Sequence, residues 1–139
     1  MLALTFILTA CSTNQTITTG ATADRLSPCP KSPNCVSSLS EDESHYVAPL
    51  TYKATPEEVR EKLISIIKSM KRSEIVKAEM NYIHATFRSA LFRFVDDVEF
   101  SFDDQRKVID VRSASRIGYS DLGVNRKRVE EIRKRFMSL

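Results

Sequence analysis

From Tyr82 to Ser113 apolar and polar residues alternate with a period of two, and this rhythm constrains the fold more than any other feature of the chain. In Tyr82 to Arg88, Ile83, Ala85 and Phe87 point one way while His84, Thr86 and Arg88 point the other. In Phe92 to Phe102, the side chains of Phe92, Phe94, Val98, Phe100 and Phe102 share a face, so the phenylalanines from Phe87 to Phe102 are expected in the core. Asp103-Asp104-Gln105 reads as a hairpin turn, and Val108 to Ser113 as the β-branched return strand. Ile75 to Ala78 is a weaker strand. Tyr46 to Tyr52 is a short edge strand whose donor row is interrupted by Pro49. Asp96 breaks the chemistry of the pattern without breaking its period. A carboxylate among phenylalanines is costly unless paired or hydrogen-bonded, so Asp96 is expected to be buried with a partner from the segment Arg112 to Arg128.

Two helices bracket the strands. Thr55, Pro56 and Glu58 spell a capped helix start, and Val59, Leu63, Ile66, Ile67 and Met70 form one apolar stripe behind it. Lys68, Lys71 and Arg72 suit the carboxyl end of the helix dipole and read as a solvated helix end rather than a binding patch. A second helix runs from about Leu122, with Leu122, Val129, Ile132 and Phe136 toward the sheet. Its outer face carries the favourable pairs Glu130 with Lys134 and Glu131 with Arg135. The order predicts one α+β domain: an antiparallel sheet of three to five strands with two helices packed on one face.

The N-terminus has a different character. Leu2 to Ala10 is apolar but shorter than the ~20 residues a spanning helix needs. Leu8-Thr9-Ala10-Cys11 resembles the lipobox of bacterial lipoproteins, which implies cleavage before Cys11 and a lipid on that cysteine. The threonine-rich stretch from Ser12 to Asp24 reads as a tether and argues against a buried N-terminal segment. The expected division is a signal over 1–10, a polar tether over 11–27 and a globular domain over 28–139, with the lipid on Cys11 as the membrane contact.

Two cysteines remain, in Pro28-Cys29-Pro30-Lys31-Ser32-Pro33-Asn34-Cys35. Outside the cytoplasm thiols are readily oxidised, and the prolines bring the loop ends together, so a Cys29–Cys35 disulfide is expected. A metal site needs about four ligands, and only His45 and His84 are available to join the cysteines, so neither a metal nor a cofactor is expected. His45 follows Glu41-Asp42-Glu43 and reads as exposed or loosely hydrogen-bonded; His84 reads as an outward strand residue.

Asp110 to Arg128 gathers two of the three glycines and four arginines between a strand and a helix. Free N–H groups at a helix start suit an anion, with Ser120 or Asp121 as cap. The candidate ligand-binding residues are Asp96, Arg112, Ser113, Ser115, Arg116, Asp121, Asn125 and Arg126. A structural alternative stands beside this one: the arginines pair with Asp96, Asp97, Glu99 or Asp110, and the serines close the turn.

Pro28-Cys29-Pro30, Ser32-Pro33-Asn34-Cys35-Val36-Ser37-Ser38, Asp96-Asp97, and Arg112-Ser113-Ala114-Ser115-Arg116 with Gly118, Asp121, Gly123, Asn125 and Arg126 occur here in this order. Together, over residues 26–139, they resemble the bacterial lipoprotein family catalogued as domain of unknown function 1499. The resemblance implies a protein of the bacterial cell envelope, facing the periplasm or the exterior, and implies no particular activity. The leading expectation is a lipid-anchored, non-enzymatic module that binds an anionic small molecule or an envelope protein. The alternative is an enzyme acting on a phosphate or acyl substrate, with Asp96 as acid or base and Arg112 and Arg116 as clamps. The order helix, strands, helix also suits RNA binding, but a lipid anchor disfavours it and no nucleic acid partner is expected; a net charge of +3 says little about partners.

Overall fold

Thr55 accepts from the Glu58 amide, and Glu58 answers by accepting from the Thr55 backbone, so the first helix starts at a complete capping box. In the computed structural model, which describes residues 26–138, this helix is α1 (Pro56–Ser69). Its buried stripe of Val59, Leu63, Ile66 and Ile67 lies on a six-stranded antiparallel sheet. The strands are β1 (Cys35–Ser37), β2 (Leu50–Thr51), β3 (Ser73–Ala78), β4 (Tyr82–Arg88), β5 (Val95–Asp103) and β6 (Val108–Ser115), and α2 (Val124–Met137) closes the domain. Strand order is β1-β6-β5-β4-β3, with β2 sharing the outer edge of β6. β1 covers Arg112–Ala114 of that edge, and β2 covers Val108 and Ile109.

The alternation predicted for the central strands sets the two faces. Ile83, Ala85 and Phe87 lie across from Phe100, Val98 and Asp96, which in turn face Val111, Ser113 and Ser115. This face packs on Val129, Ile132 and Phe136 of α2 and on the α1 stripe. Full burial stabilises each of the large apolar side chains by about 1.5–3 kcal/mol. The other face carries His84, Asp97, Glu99 and Arg112.

Four expectations need correction. The sheet has six strands rather than three to five, because β1, three residues in a proline- and serine-rich lead-in, is too short to show alternation, while the edge strand expected over Tyr46 to Tyr52 forms only as the two-residue β2. Phe92 and Phe94 are not core. The fifth strand begins at Val95, and the two rings stack on each other at 5.5 Å while 70% and 47% exposed. Arg93 between them adopts a left-handed φ of 53°, which ends the extended chain, and Ser89 closes the loop by exchanging hydrogen bonds with the Phe94 backbone. Leu122 is 86% exposed because α2 starts two residues later. His45 is buried, not exposed: its Nδ1 lies 2.8 Å from the Cys35 carbonyl, which can only accept, so that nitrogen carries the proton.

β3 forms the free edge of the sheet. It is interrupted by an irregularity between Ile75 and Lys77, with Val76 exposed. At one end of the sheet lie the turn from α1 to β3, loop 89–94, the segment from β6 to α2 and the start of β1. The hairpin turns at 79–81 and 104–107 lie at the other.

Cys29 and Cys35 form a disulfide across six residues. The signal over 1–10, Cys11 and the tether up to residue 25 lie outside the described residues. Replacing both bridged cysteines by serine should lower unfolding stability by about 2–3 kcal/mol, the loss expected for so short a cross-linked loop. Denaturant midpoints measure it, and an unchanged midpoint would mean that the bridge constrains nothing in the unfolded chain.

Candidate functional site

Ser113 and Ser115 are on the helix-facing side of β6, so their hydroxyls meet the first turn of α2. Asn125, fully buried in that turn, is the hub. Its Oδ1 accepts from the Ser113 hydroxyl at 2.6 Å and from Arg128 Nη1 at 2.8 Å. Its Nδ2 reaches Asp121 Oδ2 at 2.7 Å, Ser115 Oγ at 2.9 Å and the Asn34 carbonyl at 3.2 Å. Asp121 also accepts from the backbone amides of Gly123 and Asn125, so it caps α2 although Gly123 holds the cap position. Burial works to raise the Asp121 pKa, but the hydrogen bonds from Asn125 and Gly123 outweigh it and hold the carboxyl below its usual range.

Arg128 completes the cluster. Its Nη2 donates to Asp96 Oδ2 at 2.5 Å, with both side chains at least nine-tenths buried, and its guanidinium stacks over the Phe87 ring at 4.9 Å. Asp96 is therefore buried, and its partner does come from the segment after the return strand. A small pocket of about 160 Å³ opens beside it, lined by Phe94, Ser115, Ile117, Ser120, Asp121 and Val124.

Five of the eight residues singled out from the sequence thus meet around one buried network: Asp96, Ser113, Ser115, Asp121 and Asn125. The three arginines among them lie elsewhere. Arg112 and Arg116 are on the opposite face of the sheet from Asp96. Arg112 Nη1 donates to Glu99 at 3.2 Å, and Glu99 also accepts from the Tyr82 hydroxyl at 2.5 Å. Arg112 Nε is buried with no acceptor among the described residues. Arg116 grips Asp97 with two donors at 2.8 and 2.9 Å, and His84 Nε2 lies 2.7 Å from the same carboxylate. Arg126 donates to the backbone carbonyls of Tyr46 and Ser44 and so pins the covering loop. Asn34 and Arg128 were missing from the sequence-derived set. Asn34 enters through its carbonyl, which no residue pattern announces; Arg128 was legible as an arginine one turn past the helix start.

Residues 25–136 match the family described as protein of unknown function (DUF1499). The chain belongs to that family. No curated protein matches it. Among the described residues of this DUF1499 chain, no group of three or more His, Cys, Asp and Glu side chains could hold a metal ion, and no helix is long and apolar enough to cross a membrane. A second pocket, of about 480 Å³, is walled by the disulfide loop and its surroundings, with Leu26, Cys29, Lys31, Ser37, Asp42 and His45 in its lining.

Two predictions follow from the geometry. Asp96→Ala should cost roughly 3–5 kcal/mol, because it leaves Arg128 buried and unpaired, whereas Asp96→Asn keeps an acceptor and should cost about 1–2 kcal/mol. Denaturant unfolding of both variants checks the ranking, and equal effects would mean that a neutral acceptor at this position recovers none of the loss. The second concerns acid. The Arg116 guanidinium beside Asp97 holds its carboxyl below the usual range, against the opposing effect of burial and with help from His84. A lowered folded-state pKa contributes stability that is present above the unfolded value and lost as pH falls through the folded one. The melting gap between wild type and Asp97→Asn should be full near neutral pH and close below about pH 4. A gap that widens on acidification would contradict this.

Proposed function

We propose that this DUF1499 protein is a lipid-anchored module of the bacterial cell envelope, on the periplasmic or outer side, that binds an anionic ligand or a partner protein rather than catalysing a reaction. The carrying observation is the state of its charged groups. Asp96 is engaged by Arg128, Asp97 by Arg116 and Glu99 by Arg112, and Asp96 is separated from Arg112 and Arg116 by the thickness of the sheet. The anchor rests on the Leu8-Thr9-Ala10-Cys11 pattern, and the Cys29–Cys35 disulfide supports an oxidising compartment. One observation favours the second reading, an enzyme for a phosphate or acyl substrate: the small pocket puts Ser115, Ser120 and Asp121 beside Asp96.

Metabolic labelling with palmitate tests the anchor. Label should enter the wild-type protein and be absent from Cys11→Ala; an unlabelled wild type would remove the lipoprotein reading. Thermal melts with and without phosphate separate binding from structure at Asp96. If the pocket is a ligand site, Asp96→Asn abolishes phosphate-dependent stabilisation while leaving the fold nearly intact.

A further inference from the structure

Seven of the twelve large apolar side chains that the domain exposes crowd one end of it. Leu91, Phe92 and Phe94 project from loop 89–94. Ile117, Tyr119, Leu122 and Val124 project from the segment between β6 and the first turn of α2. The two groups are neighbours: the Arg116 amide donates to the Val95 carbonyl, and Phe94, Ile117 and Val124 wall the same small pocket. Contiguous exposed apolar surface of this kind marks an interaction site. Its display is also held against backbone preference, because Arg93 and Leu122, one in each loop, sit at left-handed φ of 53° and 55°.

The rim of this end is basic. Lys71 and Arg72 come from the turn after α1, Arg88 ends β4, Arg93 stands between the two phenylalanines, and Lys127 is in the first turn of α2. Lys71, Arg88, Arg93 and Lys127 have no carboxylate partner among the described residues. Three of the carboxylates nearby are engaged, Asp96 by Arg128, Asp97 by Arg116 and Asp121 by the α2 amides, which leaves Glu74 at the start of β3 against these cations. A second copy of the same end would bring like charges together across a two-fold axis.

We infer that this end docks on an anionic phospholipid surface, with the apolar loop tips entering the interface and the unpaired arginines and lysines meeting lipid phosphates. Aromatic rings beside basic side chains suit the headgroup level of a bilayer. The lead-in is fastened at the same end: Asn34 Nδ2 donates to the Gly118 carbonyl at 2.7 Å, and the disulfide ties Cys29 to the first residue of β1. The inference rests on the envelope reading only for access to a bilayer, since the contact needs no lipid on Cys11.

The chain contains no tryptophan, so Phe92→Trp and Met80→Trp each place a single fluorophore, one at this end and one at the opposite hairpin turn. With full-length protein and vesicles containing phosphatidylglycerol, the emission of Phe92→Trp should shift to the blue and be quenched by brominated lipid, while that of Met80→Trp should not change. Adding Arg93→Gln or Arg88→Gln should weaken partition about fivefold each, and pure phosphatidylcholine should give little response. Emission that stays that of a water-exposed indole on anionic vesicles overturns the inference, as does a blue shift that appears with self-association or an added envelope protein and not with lipid. Palmitate labelling reads the anchor separately, so docking and anchoring can fail independently.

Discussion

A single buried amide, Asn125, determines how the second helix meets the sheet. It sits at zero exposure in the first turn of α2, and its neighbours come from β6, from the lead-in before β1, from the cap residue and from Arg128. An apolar side chain there would leave the Ser113 hydroxyl without its acceptor and the Ser115 hydroxyl without its donor, and each orphaned buried polar group costs about 1–3 kcal/mol. The geometry is specific because every member has few alternatives. Arg128 must reach past Asn125 to find Asp96, and Asp96 can lie on the apolar face only because Arg128 arrives there. The helix is thus held in one register on the sheet by polar complementarity, while Val129, Ile132 and Phe136 supply the bulk of the burial.

The two faces of the sheet handle charge differently. Beneath the helices, charge is confined to the Asp96–Arg128 pair, desolvated and surrounded by hydrogen bonds. On the opposite face, carboxylates and cations lie side by side across adjacent strands: Glu99 opposite Arg112, Asp97 beside His84, Asp110 held by Arg106 and Ser38. Pairing across strands lets a sheet carry many charges with modest repulsion, whereas at the end with the apolar loops several cations stand without a carboxylate partner among the described residues.

The strength of the sequence signal varied with the length of the element. Fourteen-residue α1, with its capping box, and the seven- and eight-residue strands β4 and β6 repeat their periods often enough to be read. The burial of Asp96 followed from parity alone. The same parity placed Phe92 and Phe94 in the core, because alternation continues through the loop by coincidence while Arg93 turns the backbone out of the strand. The candidate residues were legible by type but not by side. Arg112 and Ser113 are adjacent in sequence and point to opposite faces, so one serves the open face and the other the helix interface. His45 was misread because its burial depends on β1, an element too short to be seen beforehand.

The irregularity in β3 has a consequence for how such domains coexist in a crowd. At one side of the sheet the short strands β1 and β2 cover β6, and at the other β3, the longer edge strand, presents backbone donors and acceptors to a neighbour. A flat, regular rim would let a second molecule zip on strand by strand. The break between Ile75 and Lys77, flanked by the charged side chains Glu74 and Lys77, prevents such continuous pairing. Copies concentrated side by side would therefore stay separate molecules instead of growing into ribbons.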